Sequence, residues 1–248
     1  MDTTTRITPT RITPTVWQLP FPVGHVYLVA LPGDGYAAVD TGIPGSAPAI
    51  LDALARLGGR PDQLRQIVIT HSHVDHMGSA ADLVDATGAR VLAGALEAPY
   101  MRGDAPEPPV VLTAAERQLH ERIMADFATA GVPPLRHVEV DVALHDGDAL
   151  DGWPEPVRVL HVPGHTPGGI ALHLPGSRLL FPGDVIGTAP GGGRPVLGPF
   201  NVAREVAVAS FRRLAALDVD TVCVPHGEPI RTGAREVLAT ATPEEDWL

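Results

Sequence analysis

Three histidines and an aspartate fall within six consecutive residues, His71, His73, Asp75 and His76, directly after the apolar run Ile67-Val68-Ile69. Imidazole nitrogen and carboxylate oxygen are donors that zinc, iron and manganese accept. His71 and His73, two apart on extended chain, project to one side and can reach one cation. Asp75 and His76 lie where the chain turns and can address a second. Three later segments repeat the plan of an apolar strand followed by a tight turn bearing a ligand-type residue. Leu160-His161-Val162 precedes Pro163-Gly164-His165, Leu179-Leu180-Phe181 precedes Pro182-Gly183-Asp184, and Val222-Cys223-Val224 precedes Pro225-His226-Gly227. His165 completes a first trio of imidazoles, His226 completes the other set, and Asp184, with two oxygens, can bridge them. Two divalent ions about 3.5–4 Å apart lower the pKa of a shared water to near neutrality and clamp the oxygens of a reacting group.

A lone histidine at a strand end is ordinarily a packing or solvated residue, so the weight rests on the His-x-His-x-Asp-His spacing and on the three further turns that follow it in order. His25, His120, His137, His145, His161 and His173 lack that turn context and read as surface or core packing. Cys223, in a buried-looking strand, reads as inert. Gly191-Gly192-Gly193 lacks the pattern of a phosphate loop and reads as a flexible rim. Arg102, Arg117, Arg122 and Arg194 read as solvated charges, any one of which is available to an anionic substrate.

Elements able to hold these residues alternate along the chain. Apolar runs at Val26–Leu31 and Tyr36–Val39, separated by Pro32-Gly33-Asp34-Gly35, predict a hairpin. Ser46 as N-cap, an apolar face of Ile50, Leu51, Leu54 and Leu57, and a Gly58-Gly59 stop predict a helix. Ile67–Ile69, apolar on both faces, predicts a covered strand; a helix over Gly78–Thr87 and a strand at Arg90–Leu92 follow. The proline-rich stretch from Glu97 and the capping box Thr113-x-x-Glu116, opening a helix that Gly131 closes, predict an insertion or lid over 97–131. Strands are expected at Val157–Val162, Ile170–Leu174, Arg178–Phe181 and Thr221–Val224, with a helix over Ala203–Leu217 whose stripe is Val206, Ala207, Phe211 and Leu214.

Bulk properties narrow the function classes. The 248 residues suit one domain spanning 1–248, with an irregular N-terminal arm over 1–15. A net charge of −11 argues against binding nucleic acid through a broad basic face. All 18 basic residues are arginine, which excludes a Schiff-base lysine and a P-loop lysine. The lone Cys223 permits a reducing compartment, and the first thirty residues lack the apolar core of an export signal, so the cytoplasm is expected. No window approaches the roughly 20 apolar residues of a membrane span, and no membrane partner is expected.

The chain resembles the metallo-β-lactamase-fold hydrolase superfamily, nearest its glyoxalase II and lactonase branch. The resemblance is carried by Val39-Asp40-Thr41-Gly42, Thr70 to His76, Gly164-His165-Thr166-Pro167-Gly168, Gly183-Asp184 and His226-Gly227, and spans Val16 to about Ile230. It implies an α/β fold in four αββα layers, two mixed β-sheets with helices outside. It also implies that His71, His73 and His165 hold one metal, that Asp75, His76 and His226 hold the second, that Asp184 bridges, and that the turn at Asp40 supports the ligands from outside. Zinc is the expected pair of ions, with iron and manganese compatible.

The expected activity is dinuclear, metal-dependent hydrolysis of a small ester, thioester or lactone. A metal-bound hydroxide would attack the carbonyl, and Asp75 or a metal-bound water would pass a proton to the leaving group. Departures from relatives shape this expectation. Glyoxalase II enzymes continue into a helical glutathione-binding domain, whereas this chain ends soon after His226. Lactonases set a tyrosine beside the metals, and of Tyr27, Tyr36 and Tyr100 only the last lies in the insertion. Many β-lactamases use a lysine, absent here, and the cysteine-ligated ones have asparagine where His71 stands. The alternatives are a mononuclear-iron oxidoreductase resembling persulfide dioxygenases, or β-lactam or phosphodiester hydrolysis on the same site. Diiron oxygen reductases fit less well, since they have glutamate where His73 stands.

Overall fold

The structure, a computed structural model, describes residues 7–191 and 193–244. An antiparallel meander opens it: β1 (Thr10–Arg11), β2 (Val16–Leu19), β3 (Val26–Leu31) and β4 (Gly35–Val39). Helix α1 (Ala47–Arg56) leads to β5 (Leu64–Ile69), the single turn α2 (Val74–Met77), α3 (Ala80–Thr87) and β6 (Arg90–Gly94). The short α4 (Ala98–Met101) and long α5 (Ala114–Ala130) precede β7 (Val142–Leu144). The remainder holds β8 (Arg158–His161), β9 (Ile170–Leu174), β10 (Leu179–Phe181) and a small hairpin of β11 (Ile186–Thr188) and β12 (Pro195–Leu197). Last come α6 (Arg204–Ala215), β13 (Thr221–Val222) and α7 (Ala234–Ala239).

Two mixed sheets result. The seven-stranded one runs in order from β1 to β7, antiparallel as far as β4 and parallel from there. The four-stranded one has the order β13-β10-β9-β8, with β13 parallel to β10. Alternation along each strand divides the apolar residues between faces. Leu28, Ile67 and Ile69 pack under Ile50 and Leu54 of α1 and Leu83 of α3. Their neighbours Tyr27, Val29 and Val68 point the other way, onto Val159, Leu172 and Phe181 of the smaller sheet. That sheet's outer residues, Leu160, Ala171 and Leu180, are covered by Ala207, Phe211 and Leu214 of α6 and Leu238 of α7. Three apolar seams thus separate four layers, the αββα sandwich. β5 is apolar on both faces because a helix layer covers one and the second sheet the other.

Several expectations are corrected. Residues 1–6 of the N-terminal arm and Gly192 of the glycine run lie outside the described residues. The rest of the arm is not irregular throughout, since β1 pairs with Trp17 and Gln18 and Ile7 is buried. The helix expected from Gly78 starts at Ala80, and the four residues before Gly78 form a separate turn, α2. Ser46 does not cap α1 with its side chain; its backbone N–H donates to Ser79 Oγ instead, tying α1 to α3. Val206 stands 43% exposed, because the buried stripe of α6 runs 207, 211, 214 and leaves position 206 at its edge. The excursion begins later than 97: Glu97, Ala98 and Met101 are buried, Met101 among the α1–α3 seam. Beyond it, α5 has the expected reciprocal capping box but buries only Glu116, while Leu119, Ile123 and Phe127 are half-covered. Among the described residues, no helix is long and apolar enough to cross a membrane.

Candidate metal centre

Four strands of two sheets end at one edge of the sandwich, and the turns leaving them carry the seven residues singled out by spacing. Beyond β5 come His71, His73 and, as α2 begins, Asp75 and His76; His165 follows β8, Asp184 follows β10 and His226 follows β13. The structure brings all seven together. His71 Nε2, His73 Nδ1 and His165 Nε2 converge to 2.9–3.2 Å of one another. Beside them, His226 Nε2 lies 3.3 Å from Asp75 Oδ2, and His76 Nε2 lies 3.7 Å from the same oxygen. Asp184 stands between the two sets. Its Oδ1 is 3.1 Å from His76 Nε2 and 3.3 Å from His226 Nε2, while its Oδ2 is 3.4 Å from His165 Nε2.

Outer contacts fix these rings. Asp40, in the turn after β4 and held at a left-handed φ of 59°, accepts Thr70 N–H at 2.8 Å, Thr70 Oγ1–H at 2.9 Å and lies 2.9 Å from His76 Nδ1. That contact turns His76 Nε2 toward the centre. Thr41 secures the same turn, its N–H and hydroxyl both donating to His76 O. The His165 loop rests on the start of α6: Val202 N–H donates to His165 O and Ala203 N–H to Gly164 O.

Other outer contacts went unsignalled by sequence. His25 meets Gly227 O at 2.9 Å and His161 meets Pro167 O at 2.9 Å, each bracing a loop that carries one of the seven clustered residues, so neither is only surface or core filling. Glu97 accepts the backbone N–H groups of Ser72 and Gly168, in the loops that carry His71, His73 and His165. Glu97 stands just past β6, and it is the pairing of β6 with β5 that brings it to these loops. Tyr27 and Tyr36 commit their hydroxyls to Val224 O and Leu57 O. Cys223 is buried, and burial raises its thiol above the ordinary value.

Charge separates the two halves of the cluster. Burial, with the neighbouring His76 adding to it, drives His71 well below the usual imidazole value, and burial lowers His73 and takes His165 down to about 3. Burial opposes charge on His76 and His226 as well, yet there the carboxylates led by Asp184 prevail, raising His76 well above its ordinary value and His226 to about 10. Asp184 and Asp75 are correspondingly held below the usual carboxylate range by His226 and His76, against their burial.

Donor chemistry supports a cation at both halves. A ring nitrogen aimed at two others can donate to one at most, so the neutral trio leaves lone pairs converging on a common point. In the second half, His76 Nε2 and Asp184 Oδ1 are buried without a hydrogen-bond partner although they sit 3.1 Å apart. Three groups of residues have ligand atoms within 4.8 Å of one another: His71, His73, His165; His71, His76, Asp184; and Asp75, His76, His226. Buried polar groups persist when paired or when they coordinate metal, and the residues present fit a metal.

Comparison with known proteins agrees with this architecture. A probable metallo-hydrolase of Bacillus subtilis is 27% identical over 84% of this chain and 82% of its own. A hydroxyacylglutathione hydrolase of Cereibacter sphaeroides is 32% identical over 90% of this chain and 69% of its own. Among solved structures, a Cronobacter sakazakii metallo-β-lactamase with a HARLDQ motif superposes with a TM-score of 0.67 at 27% identity, covering 89% of this chain and 78% of that one. A subclass B3 metallo-β-lactamase of Bradyrhizobium japonicum, 20% identical, shares the fold with a TM-score of 0.66 over 95% and 90% of the two chains. The model of the metallo-beta-lactamase superfamily matches residues 19–226, a span that opens at the end of β2 and closes on His226, and by that match together with its fold the chain belongs to this superfamily of metal-binding hydrolases.

Proposed function

We propose that the protein is a dinuclear metal-dependent hydrolase acting on the carbonyl carbon of a small ester, thioester or lactone in the cytoplasm. His71, His73 and His165 would hold one ion and Asp75, His76 and His226 the other, with Asp184 facing both sets and Asp40 orienting His76 from outside. The observation that carries the reading is Asp184, whose two oxygens face two different sets of imidazoles. Zinc suits this mixture of nitrogen and oxygen donors. When bound, two such ions bring a water's pKa toward neutrality and polarise a carbonyl oxygen. The chain's own residues do the rest. Asp75, ionised by its imidazole neighbours, can take a proton at Oδ2 from the attacking water and return it to the leaving oxygen or sulfur as the carbonyl–heteroatom bond breaks. The thioester option draws support from the hydroxyacylglutathione hydrolase relatives.

Protein purified without added metal, analysed for its elements and assayed on ester, lactone, thioester and β-lactam panels, tests the reading. Two ions per chain and turnover of a carbonyl substrate are expected. A single iron with oxygen uptake on a persulfide would overturn it in favour of the mononuclear oxidoreductase.

A further inference from the structure

Glu97 is fully buried, and its carboxylate is spent on two backbone amides that belong to different ligand loops. Oε2 accepts Ser72 N–H at 2.8 Å, between His71 and His73, and Oε1 accepts Gly168 N–H at 2.6 Å, three residues after His165. Glu97 is itself anchored: its N–H donates to Gly94 O, and its carbonyl receives Tyr100 and Met101 N–H at the head of α4. The segment that carries Glu97 touches the His165 loop. A Cβ on Gly168 would come within 2.6 Å of Glu97 N, and one on Gly94 within 2.1 Å of Gly168 O, so only glycine permits the approach. Ser72 is gripped from a second direction, its hydroxyl donating to Glu107 Oε1 at 2.9 Å.

We infer that Glu97 is a positioning residue that sets the distance between the His71–His73 segment and the His165 loop, and thereby the metal affinity of the imidazole trio. The inference rests on the reading that this trio holds an ion. Zinc–nitrogen bonds near ~2.0–2.1 Å leave little room for the loops to drift apart. Only a carboxylate offers acceptors to both amides; glutamine would turn an NH2 donor against one of the two N–H groups. The effect is confined to one half of the site. Asp75, His76 and His226 are braced by other residues, Asp40, Thr41 and His25, and the one contact of the Glu97 carboxylate in the loop after β5 is at Ser72, between His71 and His73 and ahead of Asp75.

The test is zinc titration of metal-free protein against a chelator. Each half is read alone: Glu97→Gln is compared with its parent in a His226→Ala background, which leaves the trio, and in a His165→Ala background, which leaves the other set. Expected is a ~10–100-fold loss of zinc affinity in the first background, the size seen for changes behind metal ligands, and unchanged affinity in the second. Gly168→Ala, which forces the His165 loop away from the Glu97 backbone, should reproduce the loss and carries the test if Glu97→Gln does not fold. A merely structural Glu97 would lower the melting temperature yet leave both affinities alone, or weaken both alike; either result overturns the inference. Unmodified protein binding fewer than two equivalents would overturn the dinuclear reading, and no zinc held in the His226→Ala background would overturn the clamp with it, whereas two equivalents with an unaltered trio would overturn the clamp alone.

Discussion

Asp184 and His226 differ in what their removal should do, because one faces both imidazole sets and the other only one. Asp184→Ala is expected to cost at least ~10–100-fold in metal affinity or activity, checked by elemental analysis and turnover together. His226→Ala should retain one ion through His71, His73, His165 and Asp184 and lose activity by orders of magnitude, since a two-ion clamp acts as a unit. Retention of both ions with full hydrolysis would count against the assignment. The same residues give the metal-free protein a pH signature. His165, lowered by burial from 6.5 to about 3, favours the folded state while neutral, so its contribution is lost as pH falls from 6.5 toward 3. His226, raised by Asp184 and Asp75 to about 10, contributes fully below 6.5 and loses that contribution as pH climbs toward 10. Melting temperatures of metal-free protein should therefore decline on both sides of pH 6.5, and zinc should flatten both limbs near neutrality by replacing the protons.

At the scale of elements, the insertion is tied to the site by polar contacts and covers itself poorly. α5 buries Glu116 alone, and that carboxylate accepts Thr113 N–H and Phe200 N–H while lying 3.6 Å from Arg204. Val111 N–H donates to Asn201 O, so the segment is pinned to the loop that leads through Val202 and Ala203 to His165. Glu116→Gln should loosen the pin by ~1–3 kcal/mol, visible as faster amide exchange in α5 and a larger change in KM than in kcat. Shortening residues 112–131, which leaves Glu107 on Ser72, should change substrate preference without changing metal content, because the seven proposed ligands lie outside it; loss of metal on trimming would show that the segment belongs to the centre and is not a lid.

For the whole molecule, the three apolar seams set the rigidity of the edge on which the site stands. Phe211, fully buried between α6 and the smaller sheet, supports the helix on which the His165 loop rests. Phe211→Ala is expected to cost ~3–5 kcal/mol of stability, measured by denaturant unfolding. Part of that loss should be recovered by zinc, since a ligand that binds only the folded state stabilises it by mass action. No gain in the variant's stability on adding zinc would mean that the metal and the fold are uncoupled.

Periodicity and turn chemistry are local, and they determined much of this protein without any tertiary information. The hairpin at 26–39, the helix closed by Gly58, the capping box at Thr113 and the doubly apolar β5 can be read because each depends on residues within a few positions of one another. The identity of the seven clustered residues was legible too, since each follows an apolar strand in a glycine, proline or polar turn. Short edge strands such as β1, β7 and β12 were not legible, because their pairing comes from partners distant in sequence. What tertiary structure alone decided is the set of groups behind the seven clustered residues. Glu97, His25 and His161 have no local mark of function, and the segment opening at Glu97 read as insertion rather than core. Their roles arise only when β6 is laid beside β5 and the turns after β8 and β13 come to the same edge, where a backbone amide or carbonyl of a loop needs a hydrogen-bond partner that only the folded arrangement brings to it.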